Sequence, residues 1–203
     1  MRRLEAALEL LPSGVVLADI GCDHGKLCFD ALETRKATKV YACDISAPSL
    51  EKARKALKGL NAEFVCCDGL EKVPKGYTAV SVCGMGGESM LGILEGYDGD
   101  ATLVLQPQSH AFDVRKTLTQ NGFRLDEEII AFERNRYYPV MRFVRGEGKL
   151  DELQLLFGLH AYEPTAELAK MAEKIKKEHS TYPENERSRR MIFAAERVLS
   201  NVK

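Results

Sequence analysis

The 203-residue sequence contains no apolar run approaching the ~20 residues that a membrane-spanning helix needs. Residues 1–11 carry Glu5 and Glu9 inside their apolar stripe, so they do not read as a signal peptide, and the chain is expected to be cytoplasmic. An excess of either charge is also missing. Lys and Arg number 29 and Asp and Glu 30, a net of −1. That balance excludes a uniformly basic protein that coats polyanions, but it allows a local basic face. The six cysteines are too few for a disulfide scaffold, and none forms a C-x-x-C pair, so no metal is expected. Cys22, Cys28, Cys43, Cys66, Cys67 and Cys83 lie in or beside apolar runs and read as small buried side chains in a reducing compartment. On a strand, Cys66 and Cys67 would point to opposite faces.

What is present is a packed globule, with 45% apolar and 29% charged residues. Leu4, Leu8 and Leu11 mark one helical face before a Pro-Ser-Gly stop. Short apolar runs at 15–20, 39–45, 63–68, 79–84 and 102–107 read as strands, with amphipathic stretches between most of them. That alternation predicts an α/β domain with a mainly parallel sheet. After Gly122, two strand candidates follow one another without a helix, which predicts an antiparallel pair closing the sheet. From Pro164 onward two helical faces are separated by Ser180-Thr181-Tyr182-Pro183, the pattern of a helical hairpin. The expected organisation is a Rossmann-like domain over 1–160 and a hairpin over 161–203. Residues 164–203 have a net charge of +3, and the preceding 163 have −4.

In an open parallel sheet, ligands bind beyond the carboxyl ends of the strands. The first strand runs into Asp19-Ile20-Gly21-Cys22-Asp23-His24-Gly25, where Gly21 permits a tight turn and Asp23 and His24 project toward the crevice. Asp44 closes the second strand, 23 residues beyond Gly21, where an acid can accept both hydroxyls of a ribose. A helix cap for the segment from Ser46 would explain it as well. Asp68-Gly69 closes the third strand, either to accept from an adenine amino group or as a plain turn. The fourth ends in Cys83-Gly84-Met85-Gly86-Gly87, whose three glycines suggest backbone pressed against a ligand. Gln106-Pro107-Gln108 closes the fifth and presents amides. The first loop reads G-x-D-x-x-K and so fails the dinucleotide pattern G-x-G-x-x-G. A carboxylate would repel a pyrophosphate but suit the sulfonium of S-adenosylmethionine.

These residues resemble a known family. ADIGCDHGKL (18–27), CDGL (67–70), CGMGG (83–87) and LVLQPQ (103–108) are similar to TrmK, the bacterial tRNA adenine-N1 methyltransferases acting at position 22. The resemblance extends over essentially the whole chain. The chain departs from it at Gly25-Lys26-Leu27-Cys28, where members usually have A-Y-L-P, at Gln108, where they have Asn, and at Cys43-Asp44, where Gly-Glu is common. The resemblance implies a class I S-adenosylmethionine-dependent methyltransferase fold with tRNA as partner, no membrane or metal, and a monomer or weak homodimer. It implies that Asp19, Gly21, Cys22, Asp44, Ile45, Asp68, Gly69, Cys83 and Gly84 hold the cofactor. Asp23, with His24 as a second candidate, would serve catalysis. Met85, Gly86, Gly87, Gln106 and Pro107 would line the base slot. Tyr138, Lys174, Lys177, Arg189 and Arg190 would meet the RNA. Two alternatives stay open: a methyltransferase for rRNA or DNA bases, and a non-catalytic RNA-binding protein on the same fold.

Overall fold

Five short apolar strands joined by crossovers need cover on both faces of the sheet they form. A computed structural model of the chain describes residues 1–183 and 185–202; Glu184 and Lys203 of the expected hairpin lie outside the described residues. The parallel strands are β1 (Val15–Ile20), β2 (Ala37–Asp44), β3 (Ala62–Cys66), β4 (Ala79–Met85) and β5 (Thr102–Pro107). The expected antiparallel pair is β6 (Phe123–Glu133) and β7 (Arg136–Arg145). The sheet order is β3-β2-β1-β4-β5-β7-β6, so the winding reverses between β1 and β4.

Helices α1 (Arg3–Leu10), α2 (Lys26–Glu33) and α3 (Ala47–Ala56) bury Ala6, Leu10, Leu27, Ala31, Leu50 and Ala53 on one face, against Leu17, Val40 and Ala42. Helices α4 (Gly87–Ile93) and α5 (Ala111–Gln120) bury Met90, Val114 and Leu118 on the other, against Ile20, Val82 and Leu105. Strand alternation sends neighbouring residues to opposite cores: Leu17 joins the first and Ala18 the second. Ser46 caps α3 by accepting from the Ser49 amide at 3.3 Å, with Pro48 in the first turn.

The C-terminal hairpin consists of α7 (Ala166–Thr181) and α8 (Glu186–Ser200). Its apolar faces meet Leu153 and Phe157 of α6 (Glu152–Phe157) and Ile130 of edge strand β6. Helix α6 was not expected from the sequence. It has six residues, too few to establish a helical period, and Asp151 and Gln154 close it with a reciprocal capping box. Strand β7 runs against β5 with Leu105 opposite Met141, so the β6–β7 turn lies at the end of the sheet where β5 terminates. No helix among the described residues is long and apolar enough to cross a membrane.

The expectation that all six cysteines are buried needs correction. Cys22, Cys28, Cys43 and Cys67 are buried, but Cys83 is half-buried and Cys66 exposed. Cys66 ends edge strand β3, where its side chain leaves the covered faces, while Cys67 turns inward.

One buried ion pair ties α5, β6 and α6 together. The Arg115 guanidinium donates to Glu128 Oε1 from Nη2 (2.5 Å) and Nε (3.2 Å), and from Nη1 to the Leu155 carbonyl (2.8 Å). Glu128 Oε2 accepts from the Leu159 amide at 2.8 Å. Gly158 sits between them at φ +98°, where a Cβ would strike the Glu128 carboxylate. Removing one partner of such a pair leaves a buried charge unanswered. Glu128→Leu is therefore expected to lose about 3–5 kcal/mol in urea unfolding, and adding Arg115→Met is expected to restore most of it.

Candidate active site

A cleft of about 1660 Å³ opens where the winding reverses, walled by the ends of β1, β2, β4 and β5 and by the loops that follow β1 and β3. The loop after β1 doubles back through left-handed residues at Gly21 (φ +72°), Asp23 (φ +49°) and Gly25 (φ +72°). A Cβ on Gly21 would collide with the Met85 side chain. Four of the loop's backbone donors are spent on the protein. The amides of Gly21 and Cys22 donate to the Cys43 carbonyl at 2.8 and 2.9 Å, and that of Gly25 to the Cys22 carbonyl at 2.8 Å. The Asp23 amide donates to Asp44 Oδ2 at 3.0 Å. A dinucleotide loop needs such N–H groups free to cradle phosphate. This loop instead contributes Asp23 to a cleft whose lining holds eight acidic residues against three Lys or Arg.

Beneath the loop, Asp19 is almost fully buried, accepting from Ser81 Oγ at 2.6 Å and Cys28 Sγ at 3.3 Å. Burial is the main force raising its pKa; the two hydrogen bonds oppose the rise and the nearby Asp44 charge adds to it. Burial pushes the thiols of Cys22, Cys28, Cys43 and Cys83 up as well, and Asp19 contributes to each shift. These four cysteines are held as thiols, which removes nucleophilic thiolate chemistry from this wall.

Asp44 is half-buried, and each of its oxygens already binds the backbone: Oδ2 the Asp23 amide, and Oδ1 the Ser46 amide at 2.8 Å. The ribose-acceptor and helix-entry readings thus describe the same carboxylate, which keeps further lone pairs toward the cleft. Ile45, 72% exposed, lies beside it. Asp68 and Gly69 line the cleft from the segment after β3.

Across the cleft, Gly84 is left-handed at φ +81° and clamped by two glutamines. Gln106 Oε1 accepts from its amide at 3.1 Å, and Gln108 Nε2 donates to its carbonyl at 2.8 Å. Gln106 is buried and also faces Arg3 Nη1 at 3.5 Å. Cys83, Gly84, Met85, Gln106 and Gln108 belong to the cleft lining; Gly86, Gly87 and Pro107 do not. Gly87 has a packing reason of its own, since a Cβ there would come within 2.7 Å of the Ser109 carbonyl and 2.9 Å of that of His110.

Asp23 and His24 are exposed at the mouth. His24 Nε2 lies 3.1 Å from Lys52 Nζ and 3.5 Å from Asp23 Oδ1. Tyr138 is half-buried under the Arg3 guanidinium, 4.9 Å from its ring, and Arg3 is anchored by Glu133 at 2.7 Å. That contact holds the Glu133 carboxyl below its ordinary pKa.

The four hairpin cations stand outside the cleft lining. Lys174 Nζ donates to the Asn135 carbonyl at 2.6 Å, and Arg190 pairs with Glu152 at 2.6 Å over the Phe112 ring. Lys177 and Arg189 are exposed. The sequence reading missed Arg3, Lys52 and Ser81. Ser81 carried a usable signal, a hydroxyl within an apolar strand, whereas Arg3 and Lys52 sit on helices distant in sequence from the motifs they meet.

The family described as "Methyltransferase domain" matches residues 1–141. Over 149 residues the chain is 38% identical to the tRNA (adenine(22)-N(1))-methyltransferase of Bacillus subtilis, an alignment covering 69% of this chain. The chain belongs to the TrmK family. The aligned part spans 63% of the length of that TrmK relative. The crystal structure of B. subtilis TrmK superposes with a TM-score of 0.75 at 28% identity, covering 98% of this chain and 95% of that one. M. capricolum TrmK, solved with S-adenosyl-homocysteine, has a TM-score of 0.85 at 21% identity over 99% and 98% of the two chains, and shares the fold.

Two outcomes follow from the loop's wiring. Asp44→Ala strands two amides, so hydrogen exchange at Asp23 and Ser46 is expected to accelerate by one to two orders of magnitude, from the ~1–3 kcal/mol cost of lost partners. For Asp19 the raised pKa means that, above the ordinary value of 3.8, the unfolded chain releases this proton first. Its contribution to stability therefore falls as pH rises through that window. Asp19→Asn abolishes the titration, and its stability relative to wild type is expected to grow as pH rises above about pH 4 in urea melts.

Proposed function

We propose that this TrmK-family chain transfers a methyl group from S-adenosylmethionine to N1 of an adenosine in tRNA, at position 22 as the name of the Bacillus relative states. The observation that carries this reading is the loop of residues 21–25, where the amides of Gly21, Cys22, Asp23 and Gly25 bond within the protein while Asp23, Asp44 and Asp68 line the cleft. That arrangement repels a diphosphate and attracts a sulfonium. Asp44 keeps acceptor capacity for a ribose diol, Asp68 offers an acceptor for an adenine amino group, and Ile45 supplies apolar surface beside them. S-adenosylmethionine, when bound, supplies the electrophilic methyl group.

The chain's own work is positioning and electrostatics. Adenine N1 has a free lone pair, so no base is needed before attack. Methylation leaves a positive charge on the ring, and the exposed Asp23 carboxylate at the mouth answers that charge or accepts the amino proton. His24 is the weaker candidate, since its Nε2 is already engaged beside Lys52 Nζ and Asp23 Oδ1. The acidic cleft suits a cationic donor and a cationic product, but it repels the RNA backbone. The phosphates are therefore met outside it, on the side of the hairpin, whose segment carries a net charge of +3 over 164–203.

The test is to incubate the protein with labelled methyl donor and unmodified tRNA, then map the modified nucleoside by mass spectrometry. The expected product is N1-methyladenosine at position 22; label in another nucleoside, or none, overturns the reading. Asp23→Asn is expected to fold, bind S-adenosylmethionine normally by calorimetry, and lose turnover by about 10²–10³-fold. Near-normal turnover would remove Asp23 from the catalytic role.

A further inference from the structure

The turn joining β6 to β7 is built against local preference. Its two residues, Arg134 (φ +48°) and Asn135 (φ +61°), are both left-handed, the geometry of a two-residue hairpin that favours Asn-Gly. A long cationic side chain at the first of these positions is unusual, and backbone held in a sparsely populated region clusters where function demands it. Beside the turn, Phe132 is 43% exposed, and its ring centroid lies 4.7 Å from that of Tyr137. Arg134 and Arg136 are exposed, and neither closes a hydrogen bond or ion pair with another side chain among the described residues. Lys174 of α7 holds the turn to the hairpin through the Asn135 carbonyl.

Position adds a second argument. The turn stands at the same end of the sheet as the cleft, beyond the last residue of β5. Strands β7 and β6 lie two and three places from β4 in the sheet order, about 10–15 Å across at ~4.8 Å per strand. An exposed Phe132 backed by the half-buried Tyr137 and flanked by cations has the makings of a single-stranded nucleic-acid platform, with an aromatic ring stacking on a base and cations on phosphates. It lies at the same sheet end as a cleft whose acidic lining disfavours phosphate.

We propose that the β6–β7 turn is a second RNA subsite, where Phe132 and Tyr137 stack on an unpaired nucleotide flanking the methylated one and Arg134 and Arg136 contact its phosphates. Tyr138, expected from the sequence to meet the RNA, faces Arg3 instead. The proposal rests on the tRNA reading above.

The chain has no tryptophan, so Phe132→Trp introduces a single fluorescent reporter at the platform. Its emission is expected to be quenched by unmodified tRNA, and Phe132→Ser is expected to raise KM for tRNA about tenfold. Affinity for S-adenosylmethionine should stay at the wild-type value. Arg134→Asn suits the left-handed position better, so its melting temperature is expected to hold or rise. Its salt dependence of tRNA binding should shallow by about 0.7–1 in log–log slope. An active wild type with no tryptophan quenching and an unchanged Phe132→Ser KM would overturn the subsite and leave the methyltransferase reading standing. A wild type that neither binds nor methylates tRNA would overturn both.

Discussion

The cleft depends on how one short loop satisfies its own amides. The carbonyl of Cys43 and the carboxylate of Asp44 together take three consecutive N–H groups, those of Gly21, Cys22 and Asp23. Nucleotide-binding sheets commonly leave such donors open for phosphate. Here the same end of the same topology is closed to anions by hydrogen bonding and made attractive to cations by side chains. Asp44 is central because it fixes the loop through one oxygen and the entry to α3 through the other.

From this follows a division of the surface. The acid-lined cleft, with eight acidic residues against three Lys or Arg, favours a cationic small molecule over a phosphate backbone. The exposed Arg134 and Arg136 stand instead at the β6–β7 turn, and the hairpin's Lys174 braces that turn. The antiparallel pair thus does more than end the sheet. Its length carries a two-residue turn past the end of β5, at the sheet end where the cleft opens.

Much of the architecture was legible in residue order. Apolar runs located the strands, and the missing helix between FRLDEEIIAFE and YYPVMRFVR marked the antiparallel pair. The loop motif identified Asp19, Gly21, Asp23 and Asp44 as neighbours, because each closes or follows a strand at the same sheet end. What the sequence hid were contacts made across the fold. Asp19 meets Ser81 only because β1 and β4 are adjacent in that register. Arg3 reaches Gln106 and Glu133 from a helix that the motifs do not mention. Gly87 read as a ligand-facing glycine, yet the carbonyls of Ser109 and His110 are what forbid it a side chain.

The Arg115–Glu128 pair has a mechanical consequence. Through the Leu155 carbonyl and the Leu159 amide it pins both the middle and the exit of α6, the helix on which the hairpin's apolar face rests. Swinging the hairpin away would bare Leu153 and Phe157 to water while their backbone stayed bolted to the sheet. The hairpin therefore rests on a surface held in place from the sheet side, and displacing it costs that apolar cover with no compensating shift of α6.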